Sequence, residues 1–234
     1  MDHALPTVIH IEDDPLWREC IAKILSNLPL VQYGGAAATA IAGLELCRLK
    51  RPNIILLDLR LPDRGGLELI NDLSSGVKIP RILFLTVRID EFTLFNIIHN
   101  QIAGMIWKNI FIRKSIPDAI TSLLAGHHYF PAEIQEALKA FRTDPNAFFK
   151  ILSDRELDLL PLLGRGESDE EIGKKKGIHH KTVKSHREHI MSKLGVHGLG
   201  GLIRTAAGKG FVDFSIPLRN LPTAELSLKP LVKP

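Results

Sequence analysis

One pattern occurs five times in residues 1–125: a short apolar run followed by a longer segment whose apolar residues recur at helical spacing. Each run is long enough for a buried strand and too short to cross a bilayer. Because strands joined through helices lie parallel, the repeats predict an α/β domain with a doubly wound, five-stranded parallel sheet. The apolar runs are Thr7–Ile11, Val31–Tyr33, Ile54–Leu57, Ile82–Leu85 and Gly104–Trp107. The helical segments cover 15–28, 36–50, 66–74, 91–100 and 116–125.

The pattern changes after residue 125. The predicted regions are an α/β domain at 1–125, a linker with one helix at 126–150, a helical domain at 151–212 and an extended or disordered tail at 213–234. Two helix starts in the helical domain have the spacing of a capping box, with Ser153 before Glu156 and Ser168 before Glu171. The tail is predicted from its four prolines and its lack of periodicity.

The composition gives no indication of secretion or of a membrane segment. Residues 1–7 lack a basic stretch followed by an apolar run, and the two cysteines are too few for a disulfide framework. We therefore expect a soluble, cytoplasmic protein.

The net charge of +4 is unevenly distributed along the chain. Residues 1–150 carry equal numbers of basic and acidic residues, whereas 174–193 form a dense basic run with one acidic residue, Glu188. A charge run is often only a solvated face, but this density favours nucleic acid as a partner. The basic residues of the run are Lys174, Lys175, Lys176, Lys181, Lys184, Arg187 and Lys193.

Four histidines lie in the same region, at 179, 180, 186 and 189. No cysteine accompanies them and their spacing is not that of a zinc finger, which favours packing or phosphate contact over metal ligation.

Polar residues that could share one site follow four of the predicted strands. They are Glu12, Asp13 and Asp14 after the first run, Asp58 after the third, Thr86 after the fourth and Lys108 after the fifth. Because ligands of parallel sheets bind beyond the carboxyl ends of the strands, these residues are expected to meet. Clustered carboxylates repel each other, and Mg²⁺ prefers such oxygen ligands and can neutralise phosphoryl oxygens during transfer to a carboxylate. One such residue could simply solvate the sheet edge, but the full set predicts a phosphoryl-transfer site.

Together these motifs resemble the receiver domain of bacterial two-component response regulators. The matching segments are His10–Pro15 (HIEDDP), Ile54–Pro62 (IILLDLRLP) with Gly65 and Gly66, Leu83–Thr86 (LFLT) and Gly104–Lys108 (GMIWK). The resemblance implies that Asp58 accepts a phosphoryl group from a sensor histidine kinase. It also implies that Mg²⁺ is held by Glu12, Asp13, Asp58 and the backbone carbonyl of Arg60. Thr86 and Lys108 would contact the phosphoryl group.

Two positions depart from the receiver pattern. Met105 stands three residues before Lys108, where such domains often have an aromatic switch residue. The switch would then pass to another side chain, with Trp107 one candidate, or rest mainly on Thr86. Glu12 stands where aspartate is usual, which keeps the charge and moves it by one methylene.

The helical domain contains the pattern of a helix-turn-helix. A short helix predicted at 171–177 ends at a glycine and is followed by a longer helix at 180–194. One face of the longer helix is apolar, with Val183, Ile190 and Leu194. A second face is polar and suits the major groove of DNA, although a lone basic helix would more simply be a solvated surface. This second face carries Lys181, Lys184, Ser185 and Glu188.

This domain resembles the LuxR-type helix-turn-helix of NarL/FixJ-class regulators, which implies a small all-α domain of four helices. The resemblance is carried by Leu152–Glu156 (LSDRE), Lys181–His186 (KTVKSH) and Lys193–Val196 (KLGV). It implies that Lys184, Ser185 and Glu188 lie at base edges, and that Lys181, Thr182 and Arg187 contact phosphates or flank the groove. The departures from the family pattern are Lys176 in place of an apolar residue, Pro161 inside the first helix, and His179 where a serine often caps the third.

The whole sequence predicts a phosphorylation-controlled, DNA-binding transcriptional regulator, and not an enzyme. We expect it to form a homodimer on phosphorylation and to bind DNA through the helix at 180–194. One alternative is a receiver-like dimerisation module that is not phosphorylated and binds DNA constitutively, which Met105 leaves open. The other is an aspartyl-phosphate phosphatase, which would need an acid two residues after Asp58, where the chain has Arg60.

Overall fold

The computed structural model describes the chain in five stretches of residues, which are 4–63, 66–73, 80–100, 102–109 and 111–212. The chain divides into two compact units. Of the described residues, the first unit comprises those up to Ile89 together with Asn96–Ala137, and the second comprises Asp90–Phe95 and 138–212. The predicted tail at 213–234 lies outside the described residues. Within the described residues, no helix has the length and apolar character needed to span a membrane.

The first unit contains the predicted five-stranded sheet, with strand order β2-β1-β3-β4-β5 and parallel pairing throughout. The central strand β3 is buried at every residue, because helices cover both faces of the sheet. The strands are β1 (Thr7–Ile11), β2 (Gln32–Ala37), β3 (Ile54–Asp58), β4 (Arg81–Thr86) and β5 (Gly104–Trp107). The prediction ended the second strand at residue 33, but β2 continues through two glycines to Ala37.

Five helices alternate with these strands, and two of them begin at other residues than predicted. They are α1 (Pro15–Ser26), α2 (Ala40–Lys50), α3 (Gly66–Leu73), α4 (Glu91–His99) and α5 (Ile112–Leu124). The helix α2 begins later because the Thr39 side chain accepts a hydrogen bond from the amide of Ala42 at 3.2 Å. The helix α5 begins one turn earlier and contains Pro117.

The core of this unit lies between the sheet and the helices α1 and α5. Strand residues such as Val8, Leu56 and Ile106 contribute side chains that are fully shielded from water. Ile21 and Ile116 oppose them from the two helices. This packing fixes the carboxyl ends of the strands on a rigid frame.

The open edge of β5 is covered by the chain that follows α5. Tyr129 donates its amide to the carbonyl of Ala103 at 3.0 Å and accepts from the amide of Met105 at 2.8 Å. Arg81 fixes the same segment, because its guanidinium donates to the carbonyls of Leu123 at 2.6 Å and His127 at 2.8 Å. The first residues of the predicted linker therefore extend the sheet.

The later helices include the four of the predicted helical domain, preceded by two others. They are α6 (Ala132–Thr143), α7 (Phe148–Ile151), α8 (Asp154–Gly164), α9 (Asp169–Lys176), α10 (His180–Lys193) and α11 (Gly198–Gly208). Both predicted capping boxes are present, at the starts of α8 and α9. The helix α8 continues through Pro161, and α7 is a short helix that the sequence did not predict.

Apolar side chains join the helices α8 to α11 in the second unit. Leu160, Ile172, Val183, Ile190 and Leu202 are fully buried, one or two from each helix. The helices α9 and α10 meet through a tight turn at Gly177, which has the left-handed φ of 63° that glycine adopts without strain. This core holds α10 in place while its other faces remain in water.

Candidate functional sites

The acidic residues predicted at the sheet edge do meet. Carboxylate oxygens of Glu12, Asp13 and Asp58 all lie within 4.8 Å of one another at the ends of β1 and β3. Glu12 and Asp58 are buried, whereas Asp13 is exposed. Asp14 has a different role, because its carboxylate accepts the amide of Leu16 at 2.8 Å and caps α1.

Lys108, at the end of β5, reaches into this acidic cluster. Its Nζ donates to Glu12 Oε2 at 2.9 Å and to Asp58 Oδ2 at 2.7 Å. Its own amide donates to the carbonyl of Thr86 at 2.7 Å, which fixes where the side chain leaves the strand. One ammonium therefore faces three carboxylates, and a net negative charge remains.

The electrostatics of the cluster follow from this imbalance. Burial, reinforced by the Asp58 carboxylate, raises the pKa of Glu12 to about 7 against the opposing effect of Lys108. Burial and Asp58 also raise the pKa of Asp13. For Lys108, burial acts to lower the pKa, but Asp58 and Glu12 outweigh it and raise the value, so the side chain is an ammonium at neutral pH. Three oxygen donors with excess negative charge fit a divalent cation such as Mg²⁺.

Two residues that sequence reasoning missed lie next to the cluster: Arg18 supports the backbone of Glu12 and Asp13, and His10 contacts Arg18. The Arg18 guanidinium donates to the backbone carbonyls of Glu12 at 2.9 Å and Asp13 at 2.8 Å. His10 is buried with Nε2 3.1 Å from the Arg18 carbonyl and Nδ1 3.3 Å from the Tyr33 hydroxyl. Burial lowers the pKa of His10 to about 4, so it adds no charge beneath the cluster. His10 begins the segment HIEDDP, but neither it nor Arg18 was predicted to support the site.

The remaining predicted residues either follow Asp58 in the chain or belong to the strands β4 and β5. The amide of Arg60 donates to Asp58 Oδ1 at 3.0 Å, which orients the carboxylate. Thr86 is buried, and its hydroxyl donates to the carbonyl of Arg88 at 2.7 Å. Met105 is fully buried in β5, so its side chain is not at the surface where a switch residue would turn. Asp58, Thr86 and Lys108 thus lie at the carboxyl ends of three adjacent strands.

The helix α10 has the two faces that the sequence predicted. Val183 and Ile190 are fully buried against the second unit. The opposite side is exposed and includes Lys184 and Glu188, whose charged atoms lie 4.0 Å apart. The predicted DNA-contacting residues that are exposed are Lys181, Thr182, Lys184, Ser185 and Glu188.

Arg187 differs from those five residues because it pairs with Asp169 of α9. Its Nε donates to Asp169 Oδ1 at 3.0 Å and its terminal nitrogen to Oδ2 at 2.9 Å. The hydrogen bonds and charge of Asp169 raise the pKa of Arg187 above its ordinary value. The guanidinium therefore joins α9 to α10, a role that the sequence did not indicate.

Several other cations of the basic run also have carboxylate partners inside the domain. Lys176 Nζ lies 2.8 Å from Asp158 Oδ1, which explains how a lysine is accommodated at a position that is apolar in related domains. Lys193 Nζ lies 2.7 Å from Glu156 Oε2. The positive charge available to a ligand is therefore smaller than the sequence count suggests.

The ends of α8 and α10 are set by polar side chains. Burial acts to raise the pKa of Glu156, but its bonds to Lys193 and Ser153 outweigh this and lower the value. His179 replaces the usual serine as the cap of α10, because its Nδ1 accepts the amide of Lys181 at 3.2 Å. Within the described residues, the histidines of this region form no group able to hold a metal ion.

The first unit has the five-stranded parallel sheet of a receiver domain, with an acidic cluster at the carboxyl ends of its strands. The second unit contains a helix-turn-helix. Together they define a response regulator that binds DNA. Comparison with known families agrees. The family model for the response regulator receiver domain matches residues 8–120, and that for bacterial regulatory proteins of the luxR family matches 150–206. The chain belongs to the two-component response regulators of the NarL/FixJ type, which are phosphorylation-controlled DNA-binding transcription regulators.

Individual relatives cover nearly the whole chain. The oxygen regulatory protein NreC of Staphylococcus aureus is 30% identical over 224 residues, covering 88% of this chain and 99% of that protein. The transcriptional regulatory protein MctR of Rhizobium johnstonii is 28% identical over 206 residues, covering 88% and 95%. Among solved structures, RcsB of Salmonella enterica bound to promoter rprA has a TM-score of 0.65 at 23% identity, covering 86% of this chain and 98% of that one.

Proposed function

We propose that Asp58 is the phosphoacceptor and that a sensor histidine kinase is the donor. The observation that carries this proposal is the cluster of Glu12, Asp13, Asp58 and Lys108, in which carboxylates outnumber the ammonium. An Asp58 oxygen would attack phosphorus and form the O–P bond while the P–N bond to the donor histidine breaks, its electron pair remaining on the imidazole. Most of the catalytic effect in such a transfer comes from positioning and charge neutralisation.

Mg²⁺ would be held by Glu12, Asp13, Asp58 and the carbonyl of Arg60, and would neutralise charge on the phosphoryl oxygens. Lys108 would exchange its bond to Asp58 Oδ2 for one to a phosphoryl oxygen, because the modified carboxylate no longer carries a full charge. The Thr86 hydroxyl would donate to another phosphoryl oxygen. Each of these residues already lies on the same edge of the sheet.

Phosphorylation by a small-molecule donor tests the acceptor. With acetyl phosphate and Mg²⁺, intact-mass spectrometry should detect one added phosphoryl group on the wild-type protein and none after chelation of the metal. Asp58→Asn should abolish the addition because an amide is a poor nucleophile. Asp63→Asn is the matched control on the same loop, since Asp63 only caps α2 through the amides of Ala40 and Ile41. Undiminished phosphorylation of Asp58→Asn would refute the assignment.

The second unit would bind DNA through the exposed face of α10. We propose base contacts for Lys184, Ser185 and Glu188, and phosphate contacts for Lys181 and Thr182. Arg187 would act mainly by orienting α10 through Asp169. The solved structure of two RcsB dimers bound to two parallel DNAs supports a homodimer as the DNA-binding form.

Coupling between the halves is tested by footprinting and analytical ultracentrifugation, each with and without acetyl phosphate. We expect phosphorylation to increase both dimerisation and DNA affinity. Equal affinity and equal oligomeric state in both conditions would favour the alternative, a constitutive DNA-binding protein with a receiver-like dimerisation module.

A further inference from the structure

The loop that follows β4 is attached to the sheet by two side chains. Thr86 holds it through a reciprocal pair, in which its hydroxyl donates to the Arg88 carbonyl at 2.7 Å and accepts the Arg88 amide at 3.1 Å. Trp107 holds it from the neighbouring strand, because the indole Nε1 donates to the Val87 carbonyl at 3.2 Å. Thr86 and Trp107 are register partners in the β4–β5 pairing, so the two attachments lie side by side.

Trp107 does not contribute much to the core of the first unit. The residue remains 39% exposed, although tryptophan is among the side chains that gain most from burial. Its one polar hydrogen is directed at the residue that follows Thr86. A large side chain kept near solvent and bonded to a loop backbone is placed to hold the loop.

The hydroxyl of Thr86 can serve only one acceptor at a time. A threonine has a single donor proton, and here that proton is used by the Arg88 carbonyl. If the hydroxyl donates to a phosphoryl group on Asp58, its bond to the Arg88 carbonyl must break, whereas its oxygen can still accept the Arg88 amide. The Trp107 bond to Val87 and the Arg88 amide bond to Thr86 then still favour the resting arrangement of the loop's first residues.

We propose that Trp107 is a positioning residue that favours the resting arrangement of the β4–α4 loop and that its environment changes when Thr86 turns to the phosphoryl group. The inference depends on the proposed phosphorylation of Asp58. Trp107 and the phosphoryl group would then have opposing effects on the loop. The Trp107–Val87 bond stabilises the arrangement in which the Thr86 hydroxyl donates to the Arg88 carbonyl, whereas the phosphoryl group would draw that hydroxyl away. Loss of the indole N–H should therefore favour phosphoryl binding.

Beryllofluoride with Mg²⁺ is a suitable probe, because it occupies phosphoryl sites without a covalent step. The chain has two tryptophans, so Trp17→Phe leaves Trp107 as the only indole emitter. We expect its emission to shift in a saturable manner as beryllofluoride is added, and not in the same protein carrying Asp58→Asn. In the Thr86→Val variant, ¹⁹F NMR should show that beryllofluoride still binds. The emission of Trp107 should then change little when beryllofluoride is added.

A second measurement isolates the indole N–H. Trp107→Phe keeps an aromatic ring and removes the donor, so beryllofluoride affinity from ¹⁹F NMR should rise about two- to tenfold, the range that corresponds to one net hydrogen bond. Val87→Ala is the matched control, because it preserves the carbonyl that accepts the bond, and it should leave the affinity unchanged.

The outcomes separate the two proposals. If beryllofluoride binds through Asp58 but the Trp107 emission is unchanged and Trp107→Phe binds it as wild type does, the role of Trp107 is refuted and the phosphorylation site stands. If beryllofluoride does not bind, or binds equally to Asp58→Asn, both proposals fail.

Discussion

The ion pair between Arg187 and Asp169 leads to a prediction that distinguishes a structural cation from a DNA contact. The pair is bidentate, and the side chains are 23% and 17% exposed. Exposed ion pairs contribute about 0–1 kcal/mol, whereas removing one partner of a fully buried pair costs about 3–5 kcal/mol. With less than a third of each side chain in water, a coupling free energy of about 1–2 kcal/mol is expected between the two residues.

A double-mutant cycle measures this coupling. Arg187→Ala, Asp169→Ala and the double variant are compared in the full-length protein by hydrogen-exchange mass spectrometry of peptides from α9 and α10. A loss of about 1–2 kcal/mol corresponds to an increase of about five- to thirtyfold in the opening constant of these helices. The double variant should be only slightly less protected than either single variant, because both lose the same interaction.

The salt dependence of DNA binding provides the independent measurement. Each phosphate contact contributes about 0.9 to the slope of log affinity against log salt. Lys181→Ala should reduce the slope by about that amount, whereas Arg187→Ala should weaken binding without reducing it. If Arg187→Ala lowers the slope by about 0.9 and the cycle gives a coupling near zero, Arg187 contacts DNA and the reasoning from its geometry is wrong.

Four further changes have expected outcomes. Lys184→Ala should relax the base preference at one position of a selected binding site and cost about 1–3 kcal/mol of binding free energy on the best site. Glu188→Ala should lower sequence specificity; tighter binding with an unchanged preferred sequence would contradict a base contact by Glu188. Gly104→Ala would place a Cβ 2.5 Å from the Tyr129 carbonyl, so exchange protection at 127–130 should fall and urea stability should drop by about 1–3 kcal/mol. Glu156 has a lowered pKa, so its contribution to stability is complete above its ordinary pKa of 4.5 and decreases as the pH falls below that value. Hydrogen-exchange protection of α8 should decline over the same pH range. Protection that does not depend on pH would argue against the ion pair of Glu156 with Lys193.

The sequence predicted the fold well where periodicity and position carry the information. The apolar runs located all five strands, and the polar residues after the last three runs, Asp58, Thr86 and Lys108, do lie at one edge, because strand ends in a parallel sheet share one edge. The errors occurred where the local signal was absent or ambiguous. The helix α5 was predicted from residue 116 but begins at Ile112, where no side-chain cap marks its start.

The contacts that tune the sites could not be predicted in the same way. Arg18 reaches the backbone of the acidic cluster, and His10 contacts Arg18, because α1 packs on β1, an arrangement that no local pattern encodes. The basic run was likewise overestimated as a DNA surface, because Lys176 and Arg187 have acidic partners that are distant in sequence. Charge counting identifies a candidate interface, but tertiary pairing decides which charges are available to a ligand.

The acidic site shows why such pairing matters for control. Lys108 is separated from Glu12 by 96 residues and from Asp58 by 50, yet its one ammonium serves both carboxylates. The fold thus assembles more buried negative charge than it neutralises, which is unfavourable without a ligand. A cation would relieve that excess, and transfer of a phosphoryl group to Asp58 would then release Lys108 and Thr86 from their present acceptors. Thr86 and Lys108 lie at the ends of the adjacent strands β4 and β5. A change of charge at one Asp58 oxygen would therefore alter the loop that follows β4, which makes the site suited to a switch.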